Sequence, residues 1–119
     1  MTNYQTPDDL KAIPAFAALA PVEANAFLAF SHAVEREDGL IPPKYRELIS
    51  LAVALTTQCA YCLDVHTVQA AKAGATREEV AEAALIAAAV RAGGTLGHAL
   101  LAQRLFEQHR LRARDERAS

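Results

Sequence analysis

Alanine fills 27 of the 119 positions, and no other feature narrows the fold of this chain as much. Alanine is the strongest helix former and a weak strand residue. A chain that is nearly one-quarter alanine is therefore directed toward an all-α fold. Hydrophobic residues make up 52% and charged residues 22%, a balance that excludes disordered, collagen-like and low-complexity proteins. The length suits one domain over residues 1–119. Four Phe, one Met and no Trp make a thin core. Such a chain gains by burying more surface in a partner, and an identical subunit is the expected one.

The same composition excludes some functions. A net charge of −2 gives no electrostatic footprint for nucleic acid. No apolar run approaches the ~20 residues of a membrane span, so no membrane association is expected. The N-terminal residues Met1 to Asp9 lack a basic start followed by an apolar stretch, which leaves a reducing cytoplasm as the expected compartment.

Periodicity and punctuation divide the chain into five to six helices in a compact bundle. A short helix around Leu10 is interrupted at Pro14. Pro21 opens a second, where Val22, Ala26, Phe27, Phe30, Ala33 and Val34 recur at three- and four-residue spacing. Pro42 and Pro43 precede a helix over 44–57, and another runs over 59–73 with Gly74 as its left-handed cap. Thr76-Arg77-Glu78-Glu79 reads as a capping box opening a helix to about Arg91. Gly93-Gly94 is expected to break the chain, Thr95 to cap, and a last helix to run over 96–112. The end of the chain, 113–119, is expected to fray.

The only two cysteines stand as Cys59-Ala60-Tyr61-Cys62, in the first turn of the fourth predicted helix. Unpaired amides and the helix dipole there favour a thiolate. His66 follows Cys62 by four, so positions 59, 62 and 66 fall within about 60° on a helix turning about 100° per residue. That line suits a nucleophilic thiolate, a second thiol in reach and a base. Three other readings apply to such a pair. Cysteines can be inert, buried, small hydrophobes. A zinc site needs four ligands, and His32, His66, His98 and His109 form no H-x3-5-H pair, so no metal is expected. A thioredoxin-type fold would set the motif beside a βαβ unit, and no strand is predicted.

Glu47 opens the most apolar helix, on one line with Leu51, Ala54 and Gln58. Between Leu48 and Leu55 that helix is nearly all apolar, so most of its circumference is expected to be buried. Glu47 is then either a carboxylate at the border of the core that exchanges protons or a solvated first-turn acid.

These residues carry a resemblance. R-E-L-x3-A-V-A at 46–54, C-x2-C-x3-H at 59–66, A-x3-G-A-T-x-E-E at 70–79 and the Gly93-Gly94 pair resemble the carboxymuconolactone decarboxylase superfamily, in particular its alkylhydroperoxidase D (AhpD-like) branch. The match covers 44–99, and Glu47 precedes Cys59 by twelve, as that branch's catalytic glutamate does. The resemblance implies an all-α trimer or hexamer that reduces hydroperoxides without a cofactor. It implies Cys62 as the peroxidatic thiol, Cys59 as the resolving thiol, and Glu47 with His66 as the proton relay. An external dithiol, lipoyl-type or thioredoxin-like, would restore the cysteines. Tyr61 stands where the best-known alkylhydroperoxidase has a histidine, so the local proton network differs.

Two other function classes fit the same residues. One is a redox-sensing module whose thiols pair without turnover. The other is a decarboxylase- or isomerase-like lyase using Glu47 and His66 alone. His98 is expected to cap or pack rather than line the site, His32 to be structural or interfacial, and Arg110, Arg112, Arg114 and Arg117 to form a solvated face with Asp115 and Glu116.

Overall fold

A computed structural model describes residues 4–119. Every regular element among the described residues is a helix: a 3-10 segment, Pro7–Ala12, then α1 (Ile13–Leu19), α2 (Pro21–Val34), α3 (Pro43–Thr57), α4 (Ala60–Lys72) and α5 (Arg77–Ala118). Local signals set most boundaries. Proline occupies the first turn of α1, α2 and α3, where its missing N–H has no intrahelical acceptor to lose. α4 ends in a Schellman motif: Gly74 takes φ +87°, and the amides of Gly74 and Ala75 return to the carbonyls of Ala71 and Ala70. The predicted capping box is present, with Thr76 Oγ1 accepting from Glu79 N and Glu79 Oε1 accepting from Thr76 N.

α3 is the centre of the fold and packs against both α4 and α5. Its buried residues are Glu47, Leu51 and Ala54, three members of the line read from the sequence. Ala70 of α4 and Ala87 of α5 complete the fully buried set among the described residues. The wider expectation for α3 fails: Ile49, Val53 and Leu55 are exposed, so only one stripe of the helix is covered. α1 and α2 pack on each other, and the 3-10 segment links them to α4. That link is a hydrogen bond from Tyr61 Oη to Asp9 Oδ2 at 2.7 Å.

More than one expectation fails at α5. The helix runs unbroken for 42 residues through Gly93-Gly94. Each helical glycine costs only about 1 kcal/mol relative to alanine, and the alanine-rich turns before the pair and the leucines after it carry the helix across. Thr95 does not cap; its hydroxyl donates to the Arg91 carbonyl one turn back. The bundle is also not compact. The radius of gyration is 21.2 Å, against about 14 Å for a globular chain of this length. From residue 88 onward every position is exposed. The unbroken α5 is, by length and composition alone, also long and apolar enough to cross a membrane, contrary to the reading of the sequence.

Candidate active site

The α3–α4 connection positions the site. α3 ends at Gln58, held in the left-handed conformation at φ 57°, and Cys59 follows at once as the N-cap of α4. Non-glycine residues rarely take this conformation. Here it reverses the chain within two residues, so that α4 runs back along α3. Cys59 Sγ accepts the amide of Cys62 at 3.2 Å, doing with sulfur what a serine oxygen does at a helix start. The two cysteines are joined as a disulfide across the first turn, with Cα atoms 5.3 Å apart.

One turn further along α4, His66 Nδ1 lies 2.7 Å from Glu47 Oε2. Glu47 is buried, the only buried charged residue among those described, and its side chain is 11% exposed against 20% for His66. Burying a carboxylate is unfavourable unless it is paired, and the imidazole supplies the pair. An ionised Glu47 accepts the Nδ1 proton and so leaves Nε2 as the ring's proton acceptor. The border position read from the sequence is therefore the one observed, and the solvated alternative is not.

A cleft of about 280 Å³ opens on this pair, lined by Ser31, Val34, Glu35, Ile41, Arg46, Ile49 and Ser50 together with Glu47 and His66. Neither cysteine lines it. The structure thus forms two adjoining pairs, Cys59 with Cys62 and Glu47 with His66, linked through the one-turn spacing of Cys62 and His66 on α4. His98 and His32 stand exposed on α5 and α2 and belong to neither pair, so His98 neither caps nor packs in the core. Among the described residues no three His, Cys, Asp or Glu side chains converge as metal ligands. Sequence reasoning missed Ser31 and Glu35, which α2 brings in from distant positions, and the structural part played by Arg46. Their only signal was proximity in space.

Comparison with known proteins places this geometry in company. Residues 21–104 match the profile described as Carboxymuconolactone decarboxylase family. A protein of Paracoccus denitrificans described as uncharacterized protein 4 in the cox locus is 43% identical over 75 residues, covering 63% of this chain and 67% of its own length. An uncharacterized protein of Cupriavidus necator is 36% identical over 84 residues, 69% of this chain and 73% of its own. A crystal structure of a protein from Methanobacterium thermoautotrophicum aligns with a TM-score of 0.65 at 36% identity, over 71% of this chain and 93% of that one.

Proposed function

Because the chain belongs to the carboxymuconolactone decarboxylase family, we propose that its cysteine pair makes it a thiol-dependent peroxidase of the alkylhydroperoxidase D type. The observation that carries this reading is the Cys59–Cys62 disulfide at the start of α4, one turn from a histidine held by a buried glutamate. In the reduced protein the Cys62 thiolate attacks a hydroperoxide oxygen and the O–O bond breaks. The departing alkoxide takes a proton through His66 and Glu47 and leaves as an alcohol. Cys62 becomes a sulfenic acid. The Cys59 thiol then attacks that sulfur, water leaves, and the disulfide forms. An external dithiol, lipoyl-type or thioredoxin-like, restores both thiols by two exchanges and is itself oxidised to a disulfide.

Cys62→Ser tests the reading. Peroxide consumption with dithiothreitol as reductant should vanish while the far-UV spectrum is retained; turnover surviving in this variant refutes it.

A second reading draws on the cleft, which holds Glu47 and His66 without a sulfur. Acid–base chemistry of a decarboxylase- or isomerase-like kind needs no more than that pair. It predicts activity on a carbon acid that survives replacement of both cysteines.

We also propose that the working form is a homo-oligomer, a trimer or hexamer, in which other copies cover α5.

A further inference from the structure

We propose that Arg46 is a positioning residue that clamps one wall of the Glu47–His66 cleft in place, with Gly39 as the seat its guanidinium requires. The residue is anomalous where it stands. The first turn of α3 carries no acidic residue, and cations near a helix N-terminus oppose the dipole. Lys44, the other cation there, is answered by Glu79 at 2.9 Å. Arg46 is answered instead by two backbone carbonyls, with Nε donating to Ile41 O at 2.7 Å and Nη1 to Val34 O at 2.8 Å.

Those two carbonyls identify the task. Val34 and Ile41 both line the cleft, together with residues of α3 and His66 of α4. The backbone of α2 approaches that of α1 but not those of α3, α4 or α5, so the wall built from Ser31, Val34, Glu35 and Ile41 depends on side chains reaching across to it. Arg46 holds it at both ends of the α2–α3 connection, and its own backbone neighbour is Glu47. Gly39 sits under the clamp. A Cβ at Gly39 would overlap Arg46 Nη2 and stand 2.7 Å from Cζ. The displaced group would be the end of a flexible side chain, and Gly39 does not have the positive φ that would itself exclude alanine. Gly39→Ala therefore dislodges the guanidinium while leaving the backbone acceptable.

The inference rests on the proposal that Glu47 and His66 form the proton relay, and its test reads the imidazole itself. If the clamped wall covers the Glu47–His66 bond, NMR of the wild-type protein should show the His66 Nδ1 proton exchanging slowly with water. In Gly39→Ala and in Arg46→Lys, whose single ammonium cannot span both carbonyls as a guanidinium fork does, exchange should be at least about tenfold faster through local opening. The KM for tert-butyl hydroperoxide should rise about as much, with kcat within about twofold. Should Arg46→Lys fail to fold, Gly39→Ala decides. Unchanged exchange and unchanged KM in folded Gly39→Ala overturn the proposal. So does a fall in kcat alone with exchange unchanged. Faster exchange alongside full turnover in Cys62→Ser keeps the clamp and removes the peroxidase reading, so the two fail separately.

Discussion

Glu47 of α3 and His66 of α4 meet at 2.7 Å on the two helices that also hold most of the small buried core, Leu51, Ala54 and Ala70. Five of the described residues are buried, and one of them is this carboxylate. In a monomer with so small a core, a buried acid adds little that a leucine would not. On the reading proposed above, its placement serves the imidazole it bonds.

Glu47→Gln separates position from proton exchange. Glutamine keeps an oxygen to accept the Nδ1 proton, so the ring orientation should persist, but it cannot take the proton up. Turnover should fall by about 10²-fold with an unchanged far-UV spectrum. Steady-state kinetics across pH check this, and an unaltered rate and pH profile would show the carboxylate to be structural alone.

Cys59→Ser should convert turnover into a single event. Serine is a good N-cap and can accept the Cys62 amide as the sulfur does, so α4 should start normally. Cys62 would still open the peroxide but would stop at the sulfenic acid, which no neighbouring thiol removes. One equivalent of peroxide should be consumed per chain, and trapping with dimedone followed by mass spectrometry should place the adduct on Cys62.

The acid limb of stability has a visible source. The Glu79 carboxyl is held below its ordinary value of 4.5, first by the Thr76 amide and then by the Lys44 side chain. A carboxyl whose pKa is lower folded than unfolded contributes stability above the unfolded value, and the contribution is lost as pH falls through the folded one. Both ends of the ion pair are partly exposed, so salt should weaken the effect. Thermal melts from pH 7 down to pH 3 should show Glu79→Gln less stable at neutral pH and less sensitive to acid than the wild type.

What could be read from the sequence follows the range of the forces involved. The Thr76–Glu79 box, the Gly74 cap and the prolines that open α2 and α3 act within four residues, and each is found where it was expected. The Glu47–His66 meeting was legible through the resemblance and the helical line to Leu51 and Ala54. Gly93-Gly94 misled because a glycine pair was read as a stop, whereas its modest cost is overcome by the surrounding helix. The cleft wall was invisible, since Arg46 takes carbonyls at Val34 and Ile41 that no periodicity connects. The expectation of a compact bundle failed for a different reason. Apolar content shows that surface must be buried, but not that it will be buried within the same chain.

α5 makes that last point testable. Its second half exposes Leu96 at 66%, Leu100 at 69%, Leu101 at 39% and Leu105 at 41%, and burying a leucine contributes about 1.5–3 kcal/mol. A helix apolar on most sides is stable when something covers it. The charge distribution favours a second copy. The far end of α5 carries Arg104, Arg110, Arg112, Arg114 and Arg117 against Glu107, Asp115 and Glu116, whereas the first two helices and the loop that follows them bear Glu23, Glu35, Glu37 and Asp38 against Arg36. On the oligomer proposed above, wild-type protein should sediment as a trimer or hexamer. Leu100→Glu with Leu101→Glu should shift it to the mass of one chain with reduced helix content. Sedimentation velocity checks both, and a wild-type monomer that floats with lipid vesicles would assign α5 to a membrane instead.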